Sequence, residues 1–502
     1  MLALGVFLSV SPTVRLSGLQ CPDGSPAPCR LTSHSTTSPP ANSVAVLYFD
    51  NLSPDTADAW LGDGLTEELI TRLRQLARLT VRPATTVRRY RGQTGNPAGV
   101  GRALGVLYVV KGSVFPGSSR LRVSVALISA PTGARVWSAE YDRSTGDLLA
   151  LQEDILREIA TGIAGRLRLG ERAALTAFPT RSRDAYDHFL HGLYDAGPRE
   201  ESGLLRALDE FEAATRIDST FARAYARIGI VNGLLLLGNS GVAAETLIAR
   251  GLAATDRALT LDPSLSDAWV ARGRLLAAKY SPFYEGALAA YERAIALDPR
   301  NAEAYNFYGT ALGIHYGDLA RACGAYERAV ALDPGHGVAL GNLALCEFAG
   351  RRFREALRWS DSALAVTPAN SNRQVIRAMV RLALGDTAGA RADAQASLRL
   401  DDDLPWARAT IALVDLRQGD TLATRHTVEK LVTGAGDPKS DRGTAVSTLL
   451  LALGEGERAL DYLERVRPRR GFGFPLQLSY VFLDPLRTNP RFQRLVEESR
   501  PR

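Results

Sequence analysis

The 502-residue chain reads as an α+β domain followed by a long all-α solenoid of repeated helix pairs. Three observations predict this. An apolar run from Val44 to Phe49, ended by Asp50-Asn51, opens a stretch in which strand and helix periodicities alternate as far as Ile163. From about Ser182 onward only the helical period remains. Within that second stretch one phrase recurs in phase, at Tyr291 to Pro299, Tyr326 to Pro334 and Ser360 to Pro368, with its prolines 35 and 34 residues apart.

Taken in order, residues 11–42 are rich in Ser, Thr, Pro and Gly and predict a flexible linker. The apolar stretch before it, Met1 to Val10, is too short to span a bilayer, which takes about 20 residues. It is either a weak signal segment or the tail of a membrane helix cut by the assigned start. Val44 to Phe49 is the mark of a buried strand. Leu61, Leu65, Leu69 and Leu73 follow at every fourth position, one stripe of an amphipathic helix. Leu79 to Arg82 predicts a short strand, Val100 to Leu104 a helical piece, and Val106 to Val110 another strand. Arg120 to Ser129 alternates in hydropathy, Pro131-Thr132-Gly133 supplies a turn, and Arg135 to Tyr141 returns as the second arm of a hairpin. Leu148, Leu151, Ile155, Ile159 and Ile163 close the domain with a helix.

The repeats extend on both sides of the three clearest copies. An earlier one ends Leu261-Asp262-Pro263, and one before it ends Ile217-Asp218-Ser219. First helices begin Ala224-Tyr225, Ala268-Trp269 and Ala304-Tyr305, each with a glycine four residues on (Gly229, Gly273, Gly309). Second helices place a small residue before a large one: Ala207/Phe211, Ala287/Tyr291, Ala322/Tyr326. Small residues let paired helices approach, the aromatic fills the gap to the next pair, and proline ends the second helix. Gly385-Asp386, Gly419-Asp420 and Gly454 keep the rhythm beyond Pro368.

This pattern resembles the tetratricopeptide repeat, a helix-turn-helix unit of about 34 residues. Gly62-Asp63-Gly64-Leu65-Thr66-Glu67, Gly105 to Ser113 and Val136-Trp137-Ser138 are in turn similar to the TolB amino-terminal-like (FlgO-like) domain. Asp484-Pro485-Leu486 to Phe492 resembles the C-terminal signature of the same architecture. The resemblance covers residues 43–502 and divides them into a FlgO-like domain at 43–170, repeats at 182–465 and a capping segment at 466–502. In bacterial relatives this arrangement often stands behind a membrane helix, a serine/threonine kinase, an adenylate cyclase or a winged-helix regulator. The chain has no kinase Gly-rich loop, HRD or DFG motif. What the resemblance implies is a non-catalytic interaction scaffold or the regulatory module of a signalling system. It also implies a folded part outside the cytoplasm, tethered or released, with a cytoplasmic location as the alternative.

Charge and chemistry-bearing residues narrow the classes further. The net charge is +6, yet Lys111, Lys279, Lys430 and Lys439 are the only lysines. An arginine-rich, interleaved pattern fits GC-rich bacterial coding better than a phosphate-binding stripe, so no nucleic-acid partner is expected. Cys21 and Cys29 could pair in an oxidising compartment, while Cys323 and Cys346 read as buried packing residues. His188 and His191, spaced i, i+3, lack a third ligand. Gly62-Asp63-Gly64 is no phosphate loop, and Asp401-Asp402-Asp403 reads as a solvated turn. No metal, cofactor or catalytic group is expected.

In tetratricopeptide arrays the first helix of each pair lines an inner groove with its second, fifth and ninth residues. Counting from Trp269 and Tyr305 as the fourth places Asp267, Val270 and Arg274 there, then Glu303, Asn306 and Thr310. These are the expected contacts for a protein or peptide, with Arg274 as an anchor for a carboxylate or backbone carbonyls.

Overall fold

The computed structural model describes residues 39–499 apart from 54–57, 118, 177, 199, 237–240, 279–283, 434–439 and 467–473. Residues 11–38 of the expected linker, the apolar start and the Cys21/Cys29 pair lie outside the described residues. Five strands run in the order β3 (Thr80–Val81), β1 (Ser43–Val46), β4 (Tyr108–Pro116), β5 (Arg120–Ser129), β6 (Arg135–Ser144), and β2 (Asp50–Asn51) pairs with β4. The β1–β3, β1–β4 and β2–β4 pairs are parallel; β4–β5 and β5–β6 are antiparallel. The apolar run is strand only as far as Val46; Leu47, Tyr48 and Phe49 continue buried but unpaired as strand.

Strand period two distributes this run over two cores. Val44, Val46 and Val110 join the core under α1 (Ala59–Arg74) and α4 (Leu148–Ala164), with Leu65, Leu69 and Ile155. Ala45 and Val109 turn to the opposite core, with Val87 of α2 (Ala84–Val87) and Val100 of α3 (Pro97–Ala103). α5 (Leu169–Thr176) then leads to the array.

Eight helix pairs follow among the described residues. They are α6 (Arg183–Ala196) with α7 (Glu201–Ile217), α8 (Ala222–Leu235) with α9 (Ala244–Leu261), and α10 (Ser266–Leu276) with α11 (Tyr284–Leu297). Next come α12 (Ala302–Thr310) with α13 (Leu319–Leu332), α14 (Gly337–Ala349) with α15 (Phe353–Val366), and α16 (Ser371–Leu384) with α17 (Thr387–Leu400). The last are α18 (Pro405–Arg417) with α19 (Thr421–Thr433), and α20 (Ser440–Ala452) with α21 (Gly456–Val466). Asp262, just before Pro263, leaves the helical region at φ −144°, ψ 95°, as a residue before proline does, and Asp218 before Ser219 makes the same exit without one at φ −128°, ψ 96°. The aromatics work differently from the expectation. Phe211, Tyr291 and Tyr326 rest first on the glycine of their own pair, where a Cβ on Gly192, Gly273 or Gly309 would come within 2.6, 2.6 and 2.9 Å of the ring. Tyr291 then reaches Phe307 of the next pair, with ring centroids 6.3 Å apart.

Cys323 and Cys346 are not separate packing residues. They form a disulfide between α13 and α14 with Cα atoms 5.7 Å apart, because two small positions face each other where adjacent pairs meet. After α22 (Phe474–Gln477) the chain folds back before α23 (Pro490–Ser499). Tyr480 packs on Phe348 of α14 and Trp406 of α18, while Arg351 pairs with Asp484 and donates to the Ser479 carbonyl at 2.8 Å.

Candidate functional site

The α+β domain and the array are one packed body, and their junction builds the site. A single apolar core runs from Val44 through α1, α4 and α6 to Leu247 of α9. At Gly64 the helices α1 and α6 come so close that a Cβ would lie 2.9 Å from that of Leu190. One turn earlier, Trp60 stacks on His191 at 4.0 Å. One turn later, Arg223 of α8 donates to both oxygens of Glu68 at 2.5 and 2.7 Å, and that carboxylate is wholly buried. Arg72 lies beside it, buried, and donates to the Leu175 carbonyl.

The second anchor is farther along the array. Arg300, in the turn between α11 and α12, donates to the carbonyls of Arg74 (2.6 Å), Leu79 (2.8 Å), and Leu76 and Ala77 (both 3.2 Å). A helix ends with unpaired carbonyls and partial negative charge, so a guanidinium there both bonds and neutralises the end of α1. The hydroxyl of Thr86 donates to Asp333 at 2.6 Å. The domain therefore lies against the first helices of successive pairs, across the groove expected to receive a peptide.

Between these anchors remains a chamber of about 500 Å3. Ile70 and Arg74 of α1 and Ala84 of α2 form one wall; Val231, Val270 and Phe307 are on the other. The acids around it are engaged. Glu67 accepts from the Tyr48 hydroxyl at 2.7 Å and from Arg88 at 2.5 Å, and burial together with Glu67 pushes the Tyr48 phenol far up. Behind them Asp63 meets Arg91 at 3.1 Å, and burial lifts its carboxyl to about 6 against the pull of Arg91 and Arg88.

Of the six residues expected in the groove, four line the chamber and two do not. Asp267 accepts from Asn301 at 3.1 Å, and Val270 is buried. Arg274 lies over the Phe307 ring at 4.3 Å and donates to the Gly233 carbonyl at 2.9 Å. Glu303 meets His336 at 2.6 Å. Asn306 and Thr310, farther along α12, are turned between helices. Asn306 is 1% exposed and accepts from Asn342 at 3.1 Å, while Thr310 donates to the Asn306 carbonyl at 2.9 Å. Sequence reasoning missed Arg227, His336 and Arg373, and the whole wall supplied by α1 and α2. In the sequence Arg373 is the first of three arginines at every fourth position, with Arg377 and Arg381, a spacing that reads as one solvated helix face, although the other two pair with Asp393 and Arg373 does not.

The remaining polar candidates part company. His188 meets Glu210 at 2.7 Å, whereas His191 stays on Trp60, its pKa lowered by burial. Asp403 bonds back to Asp401 at 3.1 Å and pairs with Arg442, an ordinary turn. Among the described residues no group of three or more His, Cys, Asp or Glu is placed to hold a metal ion, and no helix is long and apolar enough to cross a membrane.

Comparison with known proteins agrees with the repeat geometry. Residues 284–313 match the family profile described as TPR repeat. The protein named "Putative adenylate cyclase 3" of Rhizobium meliloti (strain 1021) is 32% identical over 199 residues, covering 38% of this chain. The chain spans about a third of that relative's length, 33%. Among solved structures, YrrB, a TPR protein with an unusual peptide-binding site, overlaps 39% of this chain and 95% of its own at 20% identity and a TM-score of 0.29. A tetratricopeptide repeat protein from Parabacteroides merdae overlaps 63% of this chain and 99% of its own at 14% identity and a TM-score of 0.31. The profile match, the in-phase prolines and the glycine–aromatic packing together make the helical part a tetratricopeptide-repeat solenoid, preceded by an α+β domain.

Proposed function

We propose that the chain is a non-catalytic interaction scaffold whose partner, a protein or peptide, engages the inner face of the repeats beside the docked α+β domain. The observation that carries this reading is the chamber left open between α1–α2 and helices α8 to α16, with Val338 of α14 at its margin, 43% exposed. Arginine and aromatic side chains, here Arg274 and Phe307 on the chamber wall, are the kinds enriched at recognition surfaces. The α+β domain fills part of the groove, so partner contact falls on what it leaves uncovered. Co-purification of the full chain with its partners tests this. Val338→Glu should lose them, and Leu422→Glu, a control on the 80%-exposed Leu422 of α19, should keep them. Equal recovery with both variants would place binding elsewhere.

A second reading concerns context. The identity to a protein named as an adenylate cyclase, over a third of that protein, favours a regulatory module of a cyclase-type signalling system, with the FlgO-like domain as its sensor half. Measuring cyclase activity of a catalytic partner with and without the added chain tests it; no change would remove the reading. We place the folded part outside the reducing cytoplasm, for which the Cys323–Cys346 disulfide speaks. A membrane tether at the N-terminus belongs to the same proposal, and recovery of the native chain in cytosol alone would overturn both.

A further inference from the structure

The chamber has an electrostatic imbalance that points to a ligand. Arg373 of α16 lines it, is 9% exposed, and its Nη1 has no hydrogen-bond partner among the described residues. Leaving a guanidinium N–H buried and unsatisfied is costly, and natural structures rarely do so without a function. Burial depresses its pKa, and no ion pair with a carboxylate is found for it among the described residues. The acids of the chamber are held elsewhere. Glu67 is taken by Arg88 and Tyr48, Glu303 by His336, Asp267 by the Asn301 amide, and Asp333 through Oδ1 by Thr86 and the Gly335 amide, its buried Oδ2 being left without a hydrogen-bond partner among the described residues.

The place where Arg373 rests adds to the imbalance. A Cβ on Gly337 would come 3.0 Å from Nη1, so the guanidinium lies against the first residue of α14. That helix spans 13 residues, and its N-terminus carries partial positive charge and unpaired N–H groups, of which His336 caps the one on Ala339. A cation at a helix N-terminus is unfavourable; an anion shared by both relieves it. Arg227 of α8, half-buried, also lines the chamber and likewise has no ion pair among the described residues.

We propose that this chamber binds a small ligand bearing an oxyanion, a carboxylate or a phosphate, held between the Arg373 guanidinium and the N-terminus of α14. The rest of the ligand lies along Ile70, Val270 and Phe307. A chamber of about 500 Å3 suits a molecule of metabolite size. This site goes beyond the scaffold reading and stands without it.

The test is titration of the full chain with inorganic phosphate in one arm and glutarate in the other, by calorimetry and thermal shift, with sodium chloride at matched ionic strength as control. The favoured arm names the oxyanion. Wild type should be stabilised by one of them beyond the chloride control. Arg373→Met should weaken that binding by about tenfold or more while melting no lower than wild type without ligand, since it removes an uncompensated charge. Arg227→Gln, at a half-exposed position, should weaken it by about threefold and serves if Arg373→Met does not fold. No stabilisation beyond chloride in either arm, or unchanged affinity in the variants, overturns the proposal.

Discussion

Glu68→Gln removes one negative charge at the junction and leaves its shape almost unchanged. In the wild type that carboxylate is wholly buried, receives two hydrogen bonds from Arg223, and lies beside the buried Arg72. Without it two guanidiniums share a dry region in which Arg72 keeps the Leu175 carbonyl and Arg223 keeps the Phe189 ring at 5.4 Å. Breaking a buried ion pair from one side costs about 3–5 kcal/mol. Arg223 is 15% exposed, and its ring contact survives, so the lower end, about 3 kcal/mol, is expected. Urea denaturation of the full chain, followed by circular dichroism, reads this as a fall in the midpoint. The double variant Glu68→Leu/Arg223→Met should recover part of the loss, because it removes one of the two guanidiniums left without a carboxylate while Arg72 remains. A single variant within about 0.5 kcal/mol of wild type, or a double variant worse than the single one, would refute the assignment of this pair as a buried clamp.

Ala294→Leu and Ala329→Leu, both fully buried at helix crossings, should each overpack the array and cost about 1–3 kcal/mol in thermal melts. Unchanged midpoints would mean the repeat register is misassigned. Asp63 titrates near 6 in the folded chain against about 3.9 unfolded, so the folded state holds the extra proton between those values. Its contribution to stability is therefore full at low pH and lost as pH rises from about 4 through 6; Asp63→Asn should flatten that part of the stability profile, and an identical slope would contradict it. Reducing Cys323–Cys346 opens a loop of sequence separation 23 and should destabilise the array by about 3 kcal/mol, read as a lower midpoint with reductant. Identical midpoints with and without reductant would contradict it.

The repeats were legible because their signal is periodic. Proline stops, glycines and the aromatics over them recur with each pair, and each copy corroborates the next. The helices α1 and α4 were legible for the same reason, from leucines and isoleucines at helical spacing. The junction left no such trace. Arg300 reaches carbonyls more than 220 residues earlier in the chain, and Thr86 meets Asp333 across 247 residues. Each contact depends on one polar side chain that looks like a surface residue in its own segment. Glu68 follows Glu67 in the sequence, yet Glu68 is buried in a clamp and Glu67 faces the chamber. The same blindness explains the groove. Counting positions put Asp267, Val270, Arg274 and Glu303 on the chamber wall, but α12 turns Asn306 toward Asn342 and Thr310 toward Asn342 and Tyr326, contacts between helices. The disulfide was hidden because Cys323 and Cys346 occupy positions where any small residue would pack.

The α+β domain lies across the inner face of the repeats and closes a chamber there. A diazirine amino acid placed at Thr85, an exposed position on the α2 side of the chamber, tests this most directly by photo-crosslinking and peptide mapping. The account predicts an intramolecular adduct to the segment around residues 333–338, next to the Thr86–Asp333 hydrogen bond. Adducts confined to residues 43–176, or formed only between two chains, would contradict it.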